Sequence, residues 1–264
     1  MQGSCLELVK LNDGEVLNDL LGYDGLKIIQ RPAMFNFSLD STLLAHFVSI
    51  QKGTTQIVDL CTGNAPIPMF LSLRTEAKIT GVELQEISYD LAQRSVALNK
   101  LNEQINICHA DLKTIHQEIG TGIFDIVTCN PPYFKVGKDS NLNKNDELTI
   151  ARHEVSVTLK DIILEASHLL KQGGRLGMVH RPDRLAEIFE TFKEFGFEPK
   201  RLRFVYPRLS KESNSVLIEG VLGGRPGGLR LEPPLIVYKG DTGVQYTDEI
   251  LKIFRLKEKV NNFS

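Results

Sequence analysis

Gln56-Ile-Val-Asp-Leu60, followed by Cys61-Thr-Gly-Asn-Ala65, is the stretch on which the fold turns. A short apolar run closes on an acidic residue and breaks into small residues around a glycine. Pro66 then opens a segment with helical character. Runs of this length, bounded by turn signals, suit a strand buried on both faces, as in a parallel sheet. The same unit recurs downstream. Lys78-Ile-Thr-Gly-Val-Glu83, Ile105-Asn-Ile-Cys-His109 and Phe124-Asp-Ile-Val-Thr-Cys129 read as three more strands, and Arg175-Leu-Gly-Met-Val-His180 as a fifth. Between them, Gln85 to Leu101 carries helical spacing at Ile87, Leu91, Ser95 and Leu98. Val157 to Leu170 repeats it at Leu159, Ile162, Ile163, Ala166 and Leu169, with Gly173-Gly174 expected to cap its end. A further helix runs through Leu185, Ile188, Phe189 and Phe192. Arg201 to Val205 and Ser215 to Val221 close the series as two strands with no helix between them.

Strands alternating with helices predict an α/β fold with a Rossmann-like, doubly wound parallel sheet. The last connection is too short for a right-handed crossover, so the closing pair should be antiparallel. Before the core, Val16 to Gln30 forms a lead-in, and Asp40 to Ser49 reads as a helix capped near Asp40 or Ser41. After it, Gly223 to Gly228 is a turn, Leu235 to Tyr238 a strand, and Thr247 to Phe254 a short helix. The expected division is a lead-in over 1–36, a catalytic domain over 37–222 and a C-terminal extension over 223–264. Phe134 to Val155 is polar and aperiodic, a long loop directly after a strand, where function tends to collect.

Composition sets the class. Hydrophobic residues make up 42% and charged residues 24% of 264, as expected of a globular chain, and the formal net charge of -2 is not that of a general nucleic-acid binder. No secretory signal is visible at the N-terminus, and no apolar run nears the ~18 residues that cross a bilayer. Cys5, Cys61, Cys108 and Cys129 form no C-x-x-C pair, which fits a reducing cytoplasm. The six histidines show no metal spacing, so no metal site is expected.

The strand ends carry the chemistry. Asp59 and Gly63 lie where a nucleoside-bearing ligand rests on the carboxyl edge of such a sheet. Glu83 ends the second strand, where a carboxylate can accept both hydroxyls of a ribose. Asp111 follows the third strand, placed to receive an exocyclic amine. The three-glycine pattern required by a dinucleotide pyrophosphate is absent, because Ala65, Pro66 and Ile67 fill its later positions.

Asn130-Pro-Pro-Tyr133 follows the fourth strand at the same edge. An amine conjugated to an aromatic ring or a carbonyl is a poor nucleophile. The Asn130 side-chain oxygen and the Pro131 carbonyl can each accept one of its N–H bonds, aiming the nitrogen at a sulfonium methyl and favouring pyramidal geometry. Pro132 stiffens the loop. Tyr133 offers a face on which a base can stack, worth about 1–3 kcal/mol.

Asp59-x-x-x-Gly63, Glu83, Asp111 and Asn130-Pro-Pro-Tyr-Phe134 together resemble the class I methyltransferases that modify amino nitrogens. Phe35-Asn-Phe-Ser-Leu-Asp-Ser-Thr-Leu-Leu44, Lys135 after the signature, and Pro207 to Glu219 are similar to the bacterial small-domain methyltransferases that form N6-methyladenosine beside the anticodon of one valine tRNA. The resemblance covers about Phe37 to Leu222. It implies a seven-stranded sheet and S-adenosylmethionine as cofactor. It implies cofactor contacts from Asp59, Cys61, Thr62, Gly63, Ala65, Glu83, Leu84, Asp111, Leu112 and Asn130. It implies catalysis by Asn130, Pro131, Pro132 and Tyr133, with Tyr133, Phe134, Lys135, Arg152 and His153 toward the substrate. Ala65 departs from the glycine often found there, and its methyl is expected to crowd the cofactor slightly.

An RNA partner is expected, probed by basic residues. Lys135, Lys138, Lys144, Arg152 and His153 could contact phosphates, or the loop could simply be solvated. Arg201, Arg203, Arg208 and Lys211 form a second cluster, read more simply as an exposed strand face. Phe35 and Phe37 are read as core. Other amino-methyltransferases, acting on protein glutamine, DNA adenine or ribosomal guanine, share Asn-Pro-Pro-Tyr and remain alternatives. A non-catalytic binding module is another.

Overall fold

The computed structural model describes residues 10–20, 23–32, 39–131 and 157–254. Strands β3 (Gln56–Leu60), β4 (Lys78–Glu83), β5 (Ile105–His109) and β6 (Phe124–Cys129) have the bounds that the apolar runs predict. They pair in parallel, in the order β6-β3-β4-β5. Their mates are β7 (Leu170–His180), β8 (Phe197–Tyr206) and β9 (Ser215–Leu222). The core order is β8-β9-β7-β6-β3-β4-β5. β7 is parallel to β6, and β9 is antiparallel to both β7 and β8, as the short connection requires.

Alternating residues of the strands feed two apolar layers. Ile57 packs into one cluster with α1 (Leu39–Phe47), α2 (Pro66–Ser72), α3 (Glu86–Leu98) and α7 (Asp248–Phe254). Val58 packs into the other, with α5 (Leu159–Leu169) and α6 (Leu185–Glu194). Helix α4 (His116–Ile119) lies beside α5. Burial on both faces explains why β3 reads as a short apolar run broken only by Asp59.

Four details depart from expectation. First, α5 does not run to Gly173-Gly174. It starts in a capping box of Thr158 and Asp161 and ends at Leu169, because Gly122 N and Ile123 N donate to the carbonyls of His168 and Leu169 at 2.8 and 3.1 Å. The glycines instead form a bulge within β7, where Gly173 adopts φ +80°. Second, the buried face of α3 is Leu91, Ala92, Ser95 and Val96, while Ile87 is exposed. Third, Asp40 and Ser41 lie inside α1, with Ser41 turned to the interior. Fourth, the C-terminal extension adds β10 (Arg230–Leu231) and β11 (Leu235–Ile236), both pairing with β8, so the sheet has nine strands around its seven-stranded core.

The lead-in is a hairpin of β1 (Val16–Leu20) and β2 (Tyr23–Gln30), separate from the main sheet. The edge of β2 is satisfied by side chains of α3. Lys27 N donates to Asn99 Oδ1 at 2.8 Å, just past the helix end, Asn99 Nδ2 returns to Lys27 O at 2.6 Å, and Ile29 N donates to Ser95 Oγ at 3.0 Å. These bonds cover a strand edge that would otherwise be open to pairing. Among the described residues, no helix is long and apolar enough to cross a membrane.

Candidate active site

β4 leaves one side of β3 and β6 the other, so the carboxyl ends of β3, β4, β5 and β6 frame a crevice where the strand order reverses. The turn after β3 is tightly wound. Cys61, Gly63 and Ala65 adopt φ +56°, +58° and +67°. Two of these are not glycine, and the left-handed region costs each about 1–2 kcal/mol. Asp59 holds the turn from beneath. Its carboxylate is fully buried, accepts Thr62 Oγ1 at 2.6 Å, and reaches across to its register partner Thr128, whose Oγ1 donates at 2.5 Å. Burial pushes the Asp59 carboxyl up to about 7, against the pull of the two threonine hydroxyls. One of its oxygens serves the turn and the other ties β3 to β6. Thr128 and this role of Asp59 were not read from the sequence, since only the β3–β6 register brings the pair together.

Ala65 is fully buried in the core cluster. Its methyl therefore faces the interior, which corrects the expectation that it crowds the crevice. An added Cβ on Gly63, by contrast, would meet nothing within 4 Å. The space over that turn is open.

Glu83 locks the rim. Its two oxygens accept Gly63 N and Gln85 N, each at 2.8 Å. Burial raises its carboxyl above the usual range, and these backbone donors oppose the rise. Leu84 N is a third backbone donor, and the carboxylate keeps one lone-pair site with which to accept a hydroxyl. Leu84, directly after the strand, is 46% exposed. His109 stacks on Tyr89 with centroids 4.9 Å apart and hydrogen-bonds the Leu84 carbonyl at 2.9 Å, which props this rim. After β5, half-buried Asp111 caps a short 3-10 turn by accepting Lys113 N at 3.0 Å, and Leu112 is buried behind it.

Asn130 ends β6 at the same edge, half-buried, with Pro131 buried after it. Its Nδ2 donates to Ser41 Oγ on α1 at 3.1 Å. Ser41, expected as a helix cap, is thus a support for the carboxamide. The remaining signature and substrate residues, Pro132, Tyr133, Phe134, Lys135, Lys138, Lys144, Arg152 and His153, lie outside the described residues, as do Phe35 and Phe37. Cys129 is buried against Cys61, and burial pushes its thiol well up, so it is no thiolate nucleophile at neutral pH.

The second basic cluster is not the exposed face expected. Arg201 and Arg203 have side chains only 15% and 13% exposed. Arg201 pairs with Glu232 and Glu219 and lies over the Phe47 ring, 4.3 Å from its centroid, while Arg203 pairs with Glu249. Arg208 donates to the carbonyls of Lys239, Gly240 and Gly243. Lys211 is exposed. Most of this cluster binds the fold together.

Comparison with known proteins gives the family and agrees with the fold. The methyltransferase small domain family matches residues 25–196. A tRNA1(Val) (adenine(37)-N6)-methyltransferase of Porphyromonas gingivalis is 31% identical over 208 residues, covering 76% of this chain and 80% of its own. One of the same name from Cytophaga hutchinsonii is 25% identical, covering 67% of this chain and 73% of its own. Among solved structures, a predicted O-methyltransferase of Agrobacterium tumefaciens superposes with TM-score 0.65 at 24% identity, over 83% of this chain and 97% of its own. TYW2 of Pyrococcus horikoshii, in complex with MeSAdo, superposes with TM-score 0.56 at 16% identity, over 81% and 73%. The solved structures bear on the fold alone.

The open floor over Gly63, a buried carboxylate with a lone pair to spare and an exposed leucine beside it suit a ligand carrying a ribose and an apolar ring face. The chain belongs to the methyltransferase small domain family and is an enzyme whose cofactor is S-adenosylmethionine.

Proposed function

We propose that this enzyme methylates N6 of an adenine in tRNA, at adenine-37 of tRNA1(Val). The observation that carries the reading is the position of Asn130 and Pro131, directly after β6, at the same carboxyl edge of the sheet as the glycine turn and Glu83. Two relatives whose names state this reaction support it.

In this reading Glu83 accepts a ribose hydroxyl of the cofactor, Leu84 covers a face of its adenine, and Asp111 receives the adenine amine. Gly63 leaves room for close approach. Bound there, S-adenosylmethionine supplies an electrophilic methyl on a positively charged sulfur. The target adenine must leave its stack, which costs least in a single-stranded loop. Asn130 Oδ1 and the Pro131 carbonyl then accept one N–H each from the amine, holding its lone pair toward the methyl. Tyr133 stacks on the base. As the N–C bond forms the S–C bond breaks, and the nitrogen loses its extra proton to water. No general base is required, and His153 is given no such role.

Nucleoside mass spectrometry of purified tRNA1(Val), from cells with and without this gene, tests the reading. N6-methyladenosine at position 37 should vanish in the deletion and return with the purified enzyme and cofactor. Undiminished N6-methyladenosine would sink it. Transfer of label to release factors or ribosomes instead of tRNA would move the same chemistry to another amino substrate.

A further inference from the structure

We propose that His116, Glu165 and His168 form a binding site for a divalent transition metal of the zinc type. The three lie away from the crevice, between α4 and α5, and have no part in the methyl-transfer reading. Glu165 is only 1% exposed. A carboxylate so buried requires a compensating charge or a full set of donors. Among the described residues its ion-pair partners are two imidazoles, and no lysine or arginine reaches it. A divalent cation would meet that need.

The donor atoms are already gathered. His116 Nδ1 lies 2.9 Å from both oxygens of Glu165, and His168 Nδ1 lies 3.4 Å from Oε2. The two rings are tilted at 60° with centroids 4.5 Å apart. One ligand atom from each residue falls within 4.8 Å of the others. Around tetrahedral zinc with bonds of about 2.1 Å, neighbouring ligand atoms stand about 3.4 Å apart. Small shifts would bring all three nitrogen and oxygen donors onto one ion. The carboxylate is also held from behind, since His116 N donates to Oε1 at 2.7 Å, leaving Oε2 to the metal. Such outer hydrogen bonds orient metal ligands. Two imidazoles and one carboxylate leave a fourth position for water. His168, with 41% of its side chain exposed, provides the entrance.

The site escapes a search of the sequence because its ligands are split. Glu165 and His168 are three apart on α5, but His116 lies 49 residues upstream of Glu165. An occupied site would clamp α4 to α5, and with it the Asp111 to Ile119 segment at the end of β5.

The test uses the untagged full chain, stripped with chelator and dialysed. Calorimetry with zinc chloride should give one ion per chain. Cobalt chloride should produce the visible absorption of a four- or five-coordinate ion. Zinc at a hundredfold excess over Kd should raise Tm by about 5 °C. His168→Gln, at an accessible position, should weaken zinc binding at least ~tenfold while keeping the metal-free Tm and the affinity for S-adenosylmethionine. His168→Ala should do the same. No zinc uptake by the wild type, or wild-type zinc affinity in both variants, would overturn the proposal and leave the trio as an ion pair.

Discussion

Asn130 Nδ2 donates to Ser41 Oγ at 3.1 Å, tying the end of β6 to a buried serine of α1 that lies 89 residues earlier in the chain. A carboxamide can flip its oxygen and nitrogen at little cost in shape. Engaging Nδ2 in this way favours the orientation that presents Oδ1 elsewhere. Ser41→Ala removes a small polar group from a site 3% exposed, and its fold should survive. The expected result is a kcat lower by about fivefold with the S-adenosylmethionine Kd unchanged, since one neutral hydrogen bond is worth about 1 kcal/mol. A change confined to Tm, with kcat intact, would mean that Ser41 serves packing alone.

Asn130→Ala tests the acceptor itself. Removing one preorganised partner of a developing charge costs about 10²–10³ in rate. Methyl transfer to tRNA should fall by that factor, while calorimetry should show wild-type binding of the cofactor, whose proposed contacts at Glu83 and Asp111 are untouched. Full activity in this variant, measured with radiolabelled cofactor, would refute the proposed mechanism.

Asp59 predicts a pH dependence of stability. Burial raises its carboxyl from 3.8 to about 7 in the folded protein. Between those values the folded state holds a proton that the unfolded chain has lost, so this group's contribution to stability declines as pH rises from about 4 to about 7. Above about 7 the full penalty is present. Asp59→Asn carries no charge at any pH, and its amide can still bond both threonine hydroxyls. Urea midpoints of the two proteins at pH 5 and pH 8 should therefore differ, with the variant gaining on the wild type at the higher pH. A constant gap between them would mean that Asp59 titrates normally.

Much of this arrangement was legible before the structure. Strands β3 and β6 are buried on both faces, so each reads as a short, mostly apolar run with a sharp end, β4 and β5 toward the edge are more polar, and Glu83 ends β4 while Asn130 directly follows β6. What could not be read depends on partners distant in sequence. Gly173-Gly174 resembles a helix cap, but the carbonyls ending α5 are taken by Gly122 and Ile123. Ala65, expected to crowd the cofactor slightly because it stands where a glycine is often found, is fully buried in the core cluster. Ser41, Thr128 and the His116–Glu165 contact are side-chain meetings across 49 to 89 residues, with no local pattern to announce them.

Gly220 in β9 gives a test of the core. A Cβ added there would meet Phe192 Cε2 at 2.5 Å and Cδ2 at 2.9 Å. Phe192 is itself fully buried on α6 and touches Phe197 at a centroid distance of 5.4 Å, so the ring has little room to retreat. Overpacking of this kind costs about 1–3 kcal/mol. Gly220→Ala should lower the urea midpoint accordingly without changing the cofactor Kd, and a neutral result would show that α6 can slide.

Arg201 separates structure from RNA contact. Its guanidinium donates to Phe47 O at 2.7 Å and Ser49 Oγ at 2.6 Å, pairs with Glu232 at 2.7 Å, and lies 3.7 Å from Glu219. Glu219 is fully buried, and Arg175 is its other cationic partner, at 2.8 Å. Arg201→Ala would take this donor from the Phe47 carbonyl and remove a positive charge from beside Glu219, whose oxygens still accept Arg175 Nη1 and Ser49 N. Breaking buried pairs costs about 3–5 kcal/mol, reduced here because Arg175 stays in place. The expected loss is about 2–3 kcal/mol, visible as a lower Tm, with the KM for tRNA within twofold of wild type. Were Arg201 instead a phosphate contact, the variant would keep its Tm, and its KM would rise with a shallower salt dependence.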